Sequence, residues 1–378
     1  MNEFLEHGLN QNRRKFLSKL SLGIGGLALG SLMVPGLFDT NNEEELFANV
    51  LPHFAPKAKR IIYLFQNGAP SQLDLFDYKP LLQKMQGQDL PASIRNGQRL
   101  TGMTANQAKF PLAGTKFNFS QHGNSGAWFG ETIPHIASMS DDLCIIRTMY
   151  TEAINHDPAL TFFQTGAQVG NRPSMGSWVS YGLGSENKNL PAFCVLLSKG
   201  KGNGQGVYSK LWNNGFLDSI HQGVQFSSGE EPVKYLSDPS FIERDDKRKI
   251  LDEIASLNQE AYDNIGDPEI VTKIQQYELA YRMQMAVPEI TSLQNEPESI
   301  VKMYGPECLA PGTYAANCLL ARKLSESGVR LLLISLYPRR LDHLPPLHNL
   351  FLHEGRVLLG RGADGIGALR GELRVQIR

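Results

Sequence analysis

The clearest hydrophobic signal in the chain is a short unbroken run. Ile61, Ile62, Tyr63, Leu64 and Phe65 follow the basic pair Lys59-Arg60 and stop at Asn67-Gly68-Ala69-Pro70. Consecutive apolar positions bounded by turn residues predict a strand buried on both faces, as in a parallel sheet covered by helices. A short helix is predicted over 131–139, followed by a second buried strand over Leu143-Cys144-Ile145-Ile146-Arg147. Residues 166–240 are rich in Gly, Ser, Asn and Pro and read as loops around short apolar pieces such as Phe193-Cys194-Val195-Leu196-Leu197. The period then changes. Ile250, Ile254, Leu257 and Ala261 fall at helical spacing, as do Ile270, Ile274, Tyr277 and Tyr281, and Gly266-Asp267-Pro268 separates the two helices. A further helix is predicted from about Thr313 to Ser327, and Val329 to Tyr337 returns to a buried strand. Strand, helix and strand in alternation predict an α/β fold with a mainly parallel central sheet. Ligands of such sheets bind outside the carboxyl ends of the strands, which draws attention to Ser71, Gln72, Asp74 and Asp77 just after the first one.

The two ends of the chain differ from this middle. Asn12-Arg13-Arg14-Lys15-Phe16-Leu17-Ser18-Lys19 leads into the glycine-diluted apolar run Leu20 to Phe38, the pattern of a twin-arginine export signal over residues 1–40. It implies the Tat export machinery as a partner and a periplasmic or cell-surface destination, with cleavage or retention of the segment left open. The acidic stretch around Glu43 to Glu45 makes 41–56 a linker, so the folded domain is expected over 57–337. After Lys323 no lysine occurs, while arginine appears at 330, 339, 340, 356, 361, 370, 374 and 378. This abrupt change makes 338–378 an atypical tail, expected to reflect an altered reading frame or a truncation that leaves the domain incomplete.

Composition narrows the functional classes. The 378 residues carry 37 Lys plus Arg against 38 Asp plus Glu, so no global field favours a polyanion and nucleic acid is not expected as a partner. Cys144, Cys194, Cys308 and Cys318 lack both the paired spacing of a zinc site and the density of a disulfide scaffold. They read as small buried apolar residues, with oxidation of Cys308 and Cys318 outside the cytosol left open.

Several long motifs then occur in a characteristic order. They are Tyr63-Leu64-Phe65-Gln66-Asn67-Gly68-Ala69-Pro70-Ser71-Gln72-Leu73-Asp74 running on to Pro80, Gln121-His122-Gly123-Asn124-Ser125-Gly126-Ala127-Trp128, Asn155-His156-Asp157-Pro158-Ala159, and Gly170-Asn171-Arg172-Pro173-Ser174-Met175-Gly176-Ser177-Trp178. With Gly223-Val224-Gln225-Phe226 and Asn317-Cys318-Leu319-Leu320-Ala321-Arg322, they resemble the exported bacterial proteins that carry a DUF1501 domain. That family is grouped with the alkaline phosphatases and sulfatase-like hydrolases. The resemblance therefore implies a large α/β sandwich, metal ions at the carboxyl ends of central strands, and action on sulfate or phosphate esters of a small molecule or polysaccharide. The sulfatase nucleophile motif reads Cys or Ser, any residue, Pro, Ser, Arg, then a helix ending in Thr-Gly. Here His156-Asp157-Pro158-Ala159-Leu160 leads to Thr165-Gly166 at the same spacing, which puts His156 at the nucleophile position and Leu160 at the arginine position. Where the superfamily has a metal-binding Asp before Gly, this chain has Asn67-Gly68, and Asp74 or Asp77 would have to substitute. Of the late metal-binding element only Leu341-Asp342-His343 survives.

The candidate metal ligands are thus Asp74, His156, Asp157, Asp342 and His343, whose carboxylates and imidazoles suit zinc, or calcium or magnesium where carboxylates dominate. For Asp74 and Asp77 the plainer alternative is turn chemistry, and for His156 and Asp157 it is a helix start. Ser125, flanked by glycine and near His122, is an alternative nucleophile or an ordinary turn residue. Arg172 offers a planar fork for a sulfate or phosphate oxygen or for an internal carboxylate. Trp128 and Trp178 read as core packing rather than a sugar-binding surface. Two functions follow: a metal-dependent ester hydrolase, or a binding or scaffold protein that keeps the fold without the nucleophile.

Overall fold

The computed structural model describes residues 57–67, 70–95, 102, 104, 106–198, 208–229, 231–238 and 241–336, together with a backbone strand over 357–361. The export segment, the linker and the Asp342-His343 pair lie outside the described residues.

The centre is a parallel sheet, as the alternation of elements predicts. Its strands are β1 (Ile61–Gln66), β4 (Phe193–Leu197), β5 (Val224–Phe226), β6 (Leu331–Leu336) and β7 (Val357–Arg361), in the spatial order β5-β4-β6-β1-β7. A separate antiparallel hairpin joins β2 (Phe119–His122) to β3 (Ala127–Gly130). The central strands are continuous apolar runs because both faces are covered. Ile62, Leu64, Cys194, Leu196, Leu332 and Ile334 enter one core. Tyr63, Phe65, Val195, Leu331 and Leu333 enter the other.

Helices α1 (His156–Thr165) and α2 (Met175–Leu183) pack on the second face. Leu160 is buried there with Trp212, and Phe163 stacks on Phe65 at 6.1 Å between ring centres. Next in the chain come the long pair α3 (Arg244–Ile265) and α4 (Pro268–Thr291). Their junction follows the sequence signals. Gly266 adopts φ 70°, a left-handed position that ends α3, and Asp267 caps α4 by accepting the Glu269 N–H at 3.0 Å. Arg248 of α3 grips Glu278 of α4 with two bonds of 2.6 and 3.2 Å. Helix α5 (Tyr314–Glu326) covers the first face with Ala315, Ala316, Leu319, Leu320 and Leu324, and its cap is the Thr313 hydroxyl, which accepts the Ala316 N–H at 3.1 Å.

Four expectations are corrected. Leu143–Arg147 forms no strand: Leu143 and Ile145 lean on the first core, but Cys144 and Arg147 are exposed and the segment joins neither sheet of the described residues. Five residues of mixed exposure do not distinguish a strand from coil packed on a core. The helix over 131–139 shrinks to Pro134–Ala137, because a proline favours the first helical turn and sets its start. The loop-heavy region contains α2, whose Gly and Ser content hides a helix capped by the Ser174 hydroxyl. Cys144 is exposed, while Cys194, Cys308 and Cys318 are buried, and none of the four is in a disulfide. In addition, the arginine-rich tail contributes β7, which pairs in parallel with β1.

Candidate functional site at the carboxyl edge of the sheet

Three neighbouring strands end together, and each carries a polar residue at that end. Asn67 follows β1, Ser198 follows β4, and Ser335 lies one residue inside the end of β6, in register with Phe65 and Leu197. Asn317 reaches the same edge from α5 and donates its Nδ2 to Ser198 Oγ at 3.1 Å. The Ser198 N–H donates to the Ser335 carbonyl at 3.0 Å, which ties β4 to β6. All four residues are at most 4% exposed. Strand alternation puts Ser335 on the face of Leu331 and Leu333, and Ser198 on the face of Cys194 and Leu196, towards α5. The cluster therefore spans the thickness of the sheet.

Two of its atoms are left over: Ser335 Oγ and Asn317 Oδ1 are buried and have no hydrogen-bond partner among the described residues. A buried polar group without a partner costs about 1–3 kcal/mol, so folded proteins carry few of them and such groups commonly serve a ligand or a water. Here the two lie on opposite faces of the sheet at one edge, the edge where α/β folds bind their ligands. None of the four side chains is charged. Neutral amide and hydroxyl oxygens are a weak set for a hard divalent cation, which prefers carboxylates, and a poor one for zinc, which takes imidazole and thiolate. These four residues therefore do not fit a resident metal.

The residues expected to be functional lie as follows. Asp74 is partly buried in the single helical turn Gln72–Leu75 after β1, and its carbonyl rests against Gly130 of β3, where a Cβ would collide with it. Asp77 pairs with Lys79 at 3.0 Å and donates its N–H to the Gln72 carbonyl at 2.9 Å, which is turn chemistry. His156 is the first residue of α1 and is half-buried. Asp157 is exposed, and both its oxygens accept from Lys210 Nζ, at 2.6 and 2.7 Å. Asp157 is the acidic residue of the first turn, after an Asn155 N-cap that makes no side-chain bond, so the pair stands at a helix start. Leu160, at the position of the sulfatase arginine, is buried in the second core.

Ser125 is exposed in the β2–β3 turn between Gly123 and Gly126, at φ 68° and 61°, while His122 Nε2 meets Ser120 Oγ at 2.8 Å. Asp141 anchors that turn by accepting the Asn124 N–H at 2.7 Å. Arg172 is exposed before α2, with Gly215 packed on the backbone of 172–173. Among the described residues, no group of three or more His, Cys, Asp or Glu is close enough to hold a metal ion.

The tryptophans divide. Trp128 packs on Tyr78, with ring centres 4.5 Å apart, as core packing predicts. Trp178 does not: it is 46% exposed, edge-on to Tyr181 and Phe216 at 6.0 and 5.7 Å. Beside this aromatic surface, His221 Nδ1 meets Ser180 Oγ at 3.0 Å, and burial, only partly opposed by Asp218, lowers the imidazole pKa.

Residues 58–343 match the family described as a protein of unknown function, DUF1501. The chain belongs to the DUF1501 family. No curated protein and no solved structure matches it. In this DUF1501 protein the match spans the sheet from β1 to β6 and all four residues of the edge cluster. Among the described residues, no helix is long and apolar enough to cross a membrane. Sequence reasoning passed over Ser198 and Ser335, although each left a trace. Ser335 is the polar interruption in Leu331-Leu332-Leu333-Ile334, and Ser198 closes Phe193–Leu197.

Proposed function

We propose that this DUF1501 protein is an exported binding protein, which keeps a sulfatase-like α/β scaffold and receives a polar ligand at the carboxyl edge of the sheet without turning it over. The observation that carries this reading is the pair of buried, unpartnered atoms, Ser335 Oγ and Asn317 Oδ1, beside Asn67 and Ser198. Asn317 Oδ1 accepts a hydrogen bond, and the Ser335 hydroxyl donates or accepts one, so the matching ligand group carries at least one N–H or O–H. The twin-arginine pattern supports export through the Tat machinery to the periplasm or cell surface. Three features weigh against an ester hydrolase. The nucleophile position is His156, the anion-binding arginine is replaced by the buried Leu160, and Asp157 is held by Lys210.

The second reading, a metal-dependent hydrolase of sulfate or phosphate esters, draws on Asp74, seven residues after Asn67, and on Asp342 and His343, which follow β6. Such residues would supply the carboxylate and imidazole groups that the edge cluster lacks, and a zinc, calcium or magnesium ion held by them would polarise an ester oxygen. The two readings separate on one experiment: turnover of aryl sulfate and aryl phosphate esters by the exported protein, with and without added zinc, calcium and magnesium. The binding reading expects no turnover above buffer in any condition. Metal-dependent hydrolysis that is lost on Asp74→Ala overturns it.

A further inference from the structure

A second site shares no lining residue with the edge cluster: a cavity of about 430 Å³ between the loop that follows β5 and helices α3 and α4. The volume falls in the range of small-molecule pockets, roughly 300–1,000 Å³. Its floor is the stripe of α4 that carries Gln284, Pro288 and Thr291, and its walls include Val233, Leu236 and Asp238 from the loop and Arg244 from α3.

The hydrogen-bond inventory decides what fits. Gln284 Nε2 donates to the Leu236 carbonyl at 2.5 Å and to Asp238 Oδ1 at 2.8 Å, which fixes the amide. Its other end, Gln284 Oε1, is buried with no partner among the described residues. Pro288 lies inside the helix four residues on and has no N–H, so the Gln284 main-chain carbonyl loses its usual helical donor. The cavity is thus short of donors at one residue. One of its charges is already engaged. Asp238 is paired with Lys247, and although burial opposes its charge, the bonds from Lys247 and Gln284 hold its carboxyl below the usual value. Glu231 accepts the Tyr235 N–H at 3.0 Å. Arg244 lies 4.4 Å over the Tyr281 ring, with its N–H groups free of any ion pair within 4 Å among the described residues.

We infer that this cavity is a binding site for a neutral, hydroxyl-rich ring compound of the size of one or two sugar units. A hydroxyl donates to Gln284 Oε1 and accepts from Arg244, while the apolar face of a pyranose ring meets Val233, Leu236 and Pro288. An ammonium ion finds Asp238 already paired with Lys247, and the Arg244 cation in the same wall opposes the attraction of the exposed Glu231. A sulfate or phosphate meets the Asp238 and Glu231 carboxylates and an acceptor where it needs donors. The site stands independently of the ligand proposed for the sheet edge.

The test is titration calorimetry on the full chain with glucose, galactose, N-acetylglucosamine and cellobiose, with choline chloride and sodium sulfate as charged probes. At least one neutral sugar is expected to bind with a Kd of about 1 mM or tighter, and both charged probes more weakly. Arg244→Ala, at an exposed position, is expected to weaken that sugar at least about fivefold, as expected for loss of one good hydrogen bond. Gln284→Met, which keeps length but removes the acceptor, is expected to weaken it further. If Gln284→Met fails to fold, Arg244→Ala alone carries the test. The inference is overturned if no sugar of the set binds, if binding is unchanged in the folded variants, or if choline or sulfate binds more tightly than every sugar.

Discussion

Replacing Ser335 by alanine separates a ligand site from an ordinary sealed core. Ser335 is fully buried, its main chain is held by β4 and β1, and its Oγ has no partner among the described residues. In the free protein the hydroxyl therefore carries a desolvation cost of about 1–3 kcal/mol that alanine removes. Loss of one oxygen leaves a gap smaller than a methyl group, which costs at most ~1 kcal/mol. The balance predicts that Ser335→Ala is neutral to about 1–2 kcal/mol more stable than the parent, against the usual direction for a core substitution. Chemical denaturation in urea with an unchanged m-value is the assay, because a shift of midpoint then reports stability alone. A ligand that binds the edge should reverse the order, stabilising the parent more than the variant. Should Ser335→Ala instead lose 1 kcal/mol or more with ligand absent, the hydroxyl has a partner and the central observation fails.

Other expectations follow from the same coordinates. Glu296 sits almost buried between Arg322 at 2.5 Å and Lys323 at 3.1 Å, so Glu296→Ala should destabilise the protein by about 3 kcal/mol in urea titrations, since Lys323 loses its carboxylate and Arg322 keeps only the more exposed Glu326 at 3.4 Å. Burial opposes that carboxylate's charge, but the bonds and charges of Lys323 and Arg322 prevail and set its pKa below the ordinary 4.5. Its contribution is thus present above that value and lost as pH falls through the lowered pKa, so the stability gap between parent and Glu296→Gln should narrow under strongly acidic conditions. Gly130→Ala should cost about 1–3 kcal/mol, because its Cβ collides with the Asp74 carbonyl and pushes the turn after β1 off the hairpin; a midpoint equal to the parent's would contradict this packing. A thiol reagent should modify Cys144 alone in the folded chain and all four cysteines in denaturant, because burial shields Cys194, Cys308 and Cys318 and raises their pKa values.

The parts legible in the sequence were those with a local physical cause. β1 was readable because its apolar run ends on Asn67-Gly68-Ala69-Pro70, and the α3–α4 junction because Gly266, Asp267 and Pro268 are a helix stop, cap and start in succession. Helix α2 was not, since Gly176 marks close packing rather than a turn: a Cβ there would strike the Phe193 ring. The edge cluster is non-local. Asn317 and Ser198 are 119 residues apart and meet only when α5 packs beside β4. No spacing rule finds two neutral side chains brought together by topology, whereas charged motifs such as His156-Asp157 attract notice even where the fold gives Asp157 a surface ion pair with Lys210.

The proposed binding function requires a carboxyl edge that takes a polar ligand and holds no resident metal. Elemental analysis by mass spectrometry of the exported, folded protein tests this most directly, with the Asp74→Ala and His156→Ala variants alongside. The binding reading predicts no stoichiometric divalent ion in the parent and no change in either variant. One equivalent or more of zinc, calcium or magnesium per chain, lost in those variants, would contradict it and restore the metal-dependent hydrolase.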